Sequence, residues 1–250
     1  MSNYSGGFKD GVLIRGMPLV QTHPGKVFWV SNVTTAAALL PGHRNGSDGN
    51  QGTFNDPFAT LDYAIGRCGA SRGDVIMVKP GHAETISTAT AMAWDVAGVA
   101  IIGLGYGSLR PTFTLDTIAG ATITVSVANV AVQNMIFVAN FADVATCFTV
   151  TTATDFAVEY CEFRDTSATL NFINIVDTNA TNNAADGLYF CKNRIISLGT
   201  TAATTAIEID ANESRVIVND NYAVYANVAN TPALLEAATI GTSNAGSVFG

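Results

Sequence analysis

Residues 130–137 read VAVQNMIF, and the chain returns to this pattern as FAVEYCEF at 156–163, LYFCKNRI at 188–195 and VIVNDNYA at 216–223. Apolar residues hold the first, third and last positions, and the sixth is Met135, Cys161, Asn193 or Asn221. A run of strand-forming residues precedes each copy, at 123–127, 148–150, 173–176 and 207–209, and a weaker copy lies earlier at Val99 and Ile101. Equivalent positions Val132, Val158, Phe190 and Val218 are separated by 26, 32 and 28 residues. A period of this size marks a solenoid. No propeller or leucine-rich signature accompanies it. The uneven spacing is assigned to loops inserted at one turn, such as residues 177–186.

The physics of a coil then assigns each position. One coil cannot bury its inward side chains alone, so neighbouring coils stack them into one core. The inward residues are expected to be Val130 and Val132, Phe156 and Val158, Leu188 and Phe190, and Val216 and Val218. Met135, Cys161, Asn193 and Asn221 fall at the corner that follows. Asn tolerates left-handed backbone there and can bond the coils above and below, so Asn193 and Asn221 read as a structural ladder.

Upstream, residues 55–87 read as a single helix feeding a strand. Asp56 can N-cap, Pro57 fits the first helical position, and Phe58, Leu61, Ala64, Ile65 and Cys68 share a face. Gly69 ends the helix, residues 72–74 turn the chain, Val75–Val78 is a buried strand, and Pro80-Gly81 stops it. A lone helix before a β array is suited to cover its open end. Further upstream, residues 12–14 and 19–20 are extended candidates, Val27–Val30 is a strand, and residues 36–40 can make a helical turn. Residues 232–238 read as a terminal helical turn and 239–250 as a small-residue tail. The expected organisation is an arm with leading strands over 1–45, a loop plus capping helix over 46–73, and a parallel β-helix over 74–250.

The segments GSDGN at 46–50, Gly52-Thr53, PFATL at 57–61, Ala64-Ile65, Gly73-Asp74 and VKPG at 78–81 carry a resemblance. They are similar to the N-terminal cap of right-handed parallel β-helix proteins of the pectate-lyase-like superfamily. From GGFKDGVLIRGMPLVQTHPGKVFWV at 6–30 onward, the chain resembles β-helix proteins of tailed bacteriophages. The resemblance implies an all-β fold, a single-stranded right-handed parallel β-helix with an N-terminal helical cap. It says little about activity, because that fold hosts lyases, hydrolases, adhesins and virion proteins.

Composition narrows the function classes. Of 250 residues 48% are hydrophobic and only 13% charged, and the formal net charge is −8. Lys and Arg are scattered, so no nucleic-acid partner is expected, and no apolar run approaches a membrane span. The start, MSNYSGGFKDG, has no secretory pattern. Cys68, Cys147, Cys161 and Cys191 show no metal-binding spacing and are expected as buried free thiols, consistent with a reducing compartment.

No constellation of catalytic residues emerges. Asp143, Asp155, Glu159, Glu162, Asp165 and Arg164 come nearest to one exposed face, yet alternation places such charges outside a strand, with Arg164 paired to a neighbouring carboxylate. Asp48, Asp177, Asp186 and Asp210 read as turn residues, and Asp48 is the weak candidate for a cation. His23, His43 and His82 stand in Pro/Gly turns with no nucleophile motif, and the GLGYG run at 103–107 reads as a coil corner. Trp29 and Trp94 lie outside the later coils. No catalytic, cofactor-binding or metal residue is therefore assigned. The expectation is a non-enzymatic structural protein of a bacteriophage virion, made in the host cytoplasm. It would be a capsid decoration, head-fibre or other surface protein whose partners are other virion proteins. A homo-oligomer is expected, with a trimer the first candidate, and residues 1–11 are expected to dock a neighbour, with wrapping of the chain's own β-helix as the alternative. The alternative function is a tail spike or fibre that binds host surface glycan, with or without cleaving it, and a polysaccharide lyase or hydrolase ranks last.

Overall fold

The computed structural model describes residues 12–14, 17–19, 25–34, 44–178, 181–199, 205–226, 235–237 and 248–249. Apart from a small antiparallel hairpin, Val12–Ile14 with Met17–Leu19, every paired strand is parallel to its neighbours. Three parallel sheets run the length of the molecule. Sheet 1 holds Val27–Val30, Val75–Val78, Ala100–Gly103, Ala131–Gln133, Ala157–Glu159, Tyr189–Cys191, Ile217–Asn219 and Val248–Phe249. Sheet 2 holds Ala83–Ile86, Thr112–Leu115, Ile136–Ala139, Glu162–Asp165, Arg194–Ser197 and Tyr222–Tyr225. Sheet 3 holds Met92–Trp94, Ile123–Val125, Val144–Val150, Phe172–Thr178, Thr205–Ile209 and Leu235–Ala237. Read in chain order, the strands visit sheets 1, 2 and 3 in turn, beginning at Val75. This is a parallel β-helix, and its coils are numbered here from 1 to 6, one per strand of the 6-stranded sheets.

The repeat lies in register as the sequence implies: Val132 pairs with Val158, Val158 with Phe190, and Phe190 with Val218. Phe156, Val158, Leu188 and Phe190 are fully buried in one core. Phe113, Phe137 and Phe163 form an inward column of sheet 2, with ring centroids 5.8 and 5.3 Å apart, and the ring of Phe190 from sheet 1 of the next coil lies 5.8 Å from Phe163. Trp94 is in the first coil with its ring inside, 5.2 Å from Phe148.

The corners on both sides of sheet 1 are set by backbone conformation. Two residues before each coil's sheet 1 strand stands a residue with positive φ: Gly73, Gly98, Asn129, Asp155, Gly187 and Arg215. At Gly187 this is also a matter of space, since a Cβ would meet the Asp155 carboxylate. Just after the sheet 1 strands of coils 3 to 6 comes a second column, Asn134, Tyr160, Lys192 and Asp220, with φ between 53° and 58°. The left-handed residue is thus the one before Asn193 or Asn221. The Asn side chains themselves form the expected ladder. Asn193 Oδ1 accepts from Cys161 N at 2.9 Å while its Nδ2 donates to Val158 O, and Asn221 repeats this with Asn193 N and Phe190 O.

The helix is Leu61–Gly66, capped by Thr60 rather than Asp56. Phe58 is held extended by a bridge to Val30, donating to Trp29 O and accepting from Ser31 N, so the helix cannot begin earlier. Its first donors are covered by side chains: Asp48 accepts from Ala59 N and Thr60 N, Glu84 from Leu61 N, and Thr60 Oγ1 from Tyr63 N. Leu61, Ala64 and Ile65 face the core, and the helix packs on the sheet 1 and sheet 3 strands of coil 1. Two other expectations need correction. Leu235–Ala237 is a strand rather than a helical turn, and Val248–Phe249 is a strand rather than tail. The expected strand Val27–Val30 is present and pairs with Val75–Val78 at the edge of sheet 1. Residues 1–11 and 36–40, His23 and His43 lie outside the described residues.

Candidate functional site

Strand alternation decides which charges reach solvent. In Glu162–Asp165, Phe163 points inward, so Asp165 does too. It is buried and accepts from Phe172 N, Ser197 Oγ, Leu198 N and Gly199 N at 2.8–3.3 Å. Burial pushes its pKa up against these bonds. The expectation of an outward Asp165 is corrected by the same parity that places Phe163. The other candidates of that group also separate. Asp155 pairs with Arg215 at 3.2 Å, Glu159 accepts from Gln133 Nε2 at 2.8 Å, and Asp143 occupies an exposed turn with φ 50°.

Glu162 and Arg164 do point outward from sheet 2, and there a cluster forms. Arg194 is the register partner of Glu162 one coil on, and Arg164 is two residues along the same strand. Arg110 comes from the segment before Thr112–Leu115 and reaches over the coil of Ile136, with Nη2 2.6 Å from Glu162 Oε2. Arg164 and Arg194 stand at 3.6 and 3.5 Å. Three guanidiniums therefore surround one buried carboxylate. Ile136 is buried despite its outward position. Lys192, at the corner beside this face, donates to Tyr160 Oη at 3.1 Å and lies over its ring. Of the five Lys and Arg residues between 99 and 226, four belong to this face and its corner. Tyr222, next in the row after Arg194, is 62% exposed, Val224 on the same strand is exposed, and so are Tyr160 at the coil 4 corner and Tyr106 and Leu109 before the coil 2 strand.

Sheet 3 presents the opposite charge. Asp177 and Glu208 are register neighbours on its outer face, and Asp210 follows just beyond. Thr146 Oγ1 donates to Asp177 Oδ2 at 3.4 Å, Asn174 bonds Glu208, and Thr122 and Thr149 share a hydroxyl contact of 2.9 Å. Burial and then the charge of Asp210 raise the Asp177 pKa. No strand of this sheet contains a Lys or Arg. The reading of Asp177 as a turn residue is corrected: it lies inside a seven-residue strand. The missed signal was a parity change, visible in FINIVDT, where Asn174, Ile175 and Val176 are all buried in succession.

The remaining candidates are structural. Both carboxylate oxygens of Asp48 are taken up by Ala59 N, Thr60 N and Thr60 Oγ1. His82 is buried, its Nδ1 accepting from Asn32 N at 3.1 Å and its Nε2 donating to Glu84 at 2.6 Å. Glu213 is buried, accepts from Ala184 N and Ala185 N, and has its pKa pushed up to about 7 by burial and by Asp186 beside it. The four cysteines are free, three of them buried, and burial pushes the Cys161 thiol up to about 12. Among the described residues no group of three His, Cys, Asp or Glu side chains is placed to hold a metal ion, and no helix is long and apolar enough to cross a membrane.

No family model matches the sequence, and no curated protein matches it. Among solved structures, a rhamnogalacturonan lyase is similar, with a TM-score of 0.45 and 15% identity over 78% of this chain. The match spans 58% of the length of that lyase. By its own strand order and register, the chain is a parallel β-helix.

Proposed function

We propose that the chain is a non-enzymatic structural protein of a bacteriophage virion, a capsid decoration, head fibre or similar surface component. The observation that carries this reading is the employment of its buried carboxylates. Glu162 neutralises guanidiniums, and Asp74, Asp165 and Glu213 hold backbone N–H groups of neighbouring segments. Groups so engaged brace a scaffold rather than await a substrate. The resemblance of residues 6–30 and of the cap to phage β-helix proteins supports the virion assignment. The protein is expected to be made in the host cytoplasm and to contact other virion proteins. Gold-labelled antibody on purified particles, with mass spectrometry of their protein content, tests it. A fixed copy number per particle is expected, and absence from purified particles overturns the reading.

A second reading, a tail spike or fibre that binds and cleaves host glycan, draws on Asp177 and Asp210. A carboxyl with a raised pKa beside a second carboxylate, among Thr and Asn side chains, is the pairing acid–base chemistry uses. The discriminating assay incubates the protein with capsular and pectic polysaccharide plus Ca²⁺ and follows unsaturated and reducing ends. No release is expected. Release that Asp177→Asn abolishes would replace the structural reading with the enzymatic one.

A further inference from the structure

We propose that copies of this chain associate side by side, the outer face of sheet 2 in one copy seated on the outer face of sheet 3 in the next. The two faces differ in charge within the same coils. In coil 4, Arg164 projects from sheet 2 and Asp177 from sheet 3; in coil 5, Arg194 and Lys192 flank sheet 2 while Glu208 and Asp210 belong to sheet 3 or follow it. When copies are related by rotation about an axis parallel to the solenoid, each coil stays at its own height. Coil 4 then meets coil 4, and Arg164 faces Asp177 of the second copy while Arg194 faces Asp210.

Each face carries an imbalance that the other corrects. On sheet 2, Arg164 and Arg194 share with Arg110 the single carboxylate of Glu162, at distances too long for hydrogen bonds, and their side chains are 41% and 56% exposed. Glu159 and Asp220 lie at the rim, so around Glu162 the four cations Arg110, Arg164, Lys192 and Arg194 stand against three carboxylates, with Asp116 two coils away beside Asn140. On sheet 3, the Asp177 and Asp210 carboxylates repel each other, and the sheet's strands supply no cation. Composition also suits a protein interface rather than a solvated wall, because exposed Tyr160, Tyr222 and Val224 adjoin the arginines. A contact between two different faces is heterologous, and it closes into a ring when the rotation between copies is a whole fraction of a turn.

The test measures mass by sedimentation of the full chain, with circular dichroism confirming the fold of each variant. The wild type is expected to be oligomeric and to dissociate as salt is raised. Arg164→Glu with Arg194→Glu, and separately Asp177→Lys with Asp210→Lys, should each weaken association more than about tenfold. All four changes together should restore it, since the charges are then exchanged between faces. The milder pair Arg194→Gln and Asp210→Asn serves where a reversal beside Glu162 unfolds the strand, and each should weaken association. A monomeric wild type, an unchanged mass in the folded single-face variants, or a folded fourfold variant that stays monomeric overturns the proposal.

Discussion

Glu213 shows how much a single buried side chain can set the response to pH. Its carboxyl titrates at about 7 in the folded protein against 4.5 ordinarily. The folded state therefore binds a proton that the unfolded state releases, and its contribution to stability is full below 4.5 and falls as pH rises towards 7. Asp165 and Asp177 are raised and act in the same direction, whereas Asp74, lowered by the N–H groups of Gly69 and Lys26 and by Arg72, acts in the opposite one at lower pH. Thermal melts from pH 4.5 to 8 are expected to show declining stability, and Glu213→Gln should reduce the slope. A slope unchanged by the substitution would assign the decline to other groups. Phe190 illustrates the apolar counterpart. Its ring is fully buried against Phe163, so Phe190→Ala should cost about 3–5 kcal/mol in denaturant titration through lost burial and a cavity. Phe190 was legible because it alternates with Leu188 in a repeated pattern. Asp165 is equally legible from Phe163, because two residues apart on one strand they share a direction, and the parity overrides the charge. Glu213 was not legible, since burial of a carboxylate in a loop depends on which neighbouring coil covers it.

At the scale of elements, the sequence marks those strands whose pattern recurs and obscures those that bend. The sheet 1 and sheet 2 strands of coils 3 to 6 repeat a short alternation on either side of a corner held by Met135, Cys161, Asn193 or Asn221, so their register is read directly. Val144–Val150 and Phe172–Thr178 change parity midway, burying Cys147 and Ile175 beside Phe148 and Val176, and this hid the outward placement of Asp177. The capping helix was recognised by its apolar face, but its start was set by a tertiary constraint, the bridge between Val30 and Phe58. Thr60 and Glu84 then supply acceptors for the first turn. Thr60→Ala should cost about 0.5–2 kcal/mol. Asp56→Ala, which caps nothing in the helix, should leave helix protection in hydrogen exchange unaltered. Equal loss of protection in both would restore Asp56 as the cap.

The whole molecule is a stack in which each coil pairs its strands only with the coils on either side, so its stability is distributed mainly along one dimension, with the Arg110–Glu162 and Arg215–Asp155 ion pairs each spanning an intervening coil. The N-terminal side of coil 1 is closed by the helix and Val27–Val30, whereas in coil 6 the inward Ala223 and Tyr225 remain partly exposed. Hydrogen exchange should therefore be slowest in the sheet 2 strands of coils 3 and 4, Ile136–Ala139 and Glu162–Asp165, and fastest in Tyr222–Tyr225. Uniform protection across all six coils would indicate a single cooperative unit. The left-handed residue two places before each coil's sheet 1 strand has a wider consequence. From Gly73 to Gly98 the chain uses 25 residues, and from Asp155 to Gly187 it uses 32, yet each coil re-enters sheet 1 in the same conformation and register. Loop length is thus uncoupled from axial position, and the molecule behaves as a ruler graduated in coils of about 4.8 Å. Excising residues 129–154 would join one graduation to the next with Val158 arriving where Val132 had been, shortening the rod by one step while leaving both ends intact.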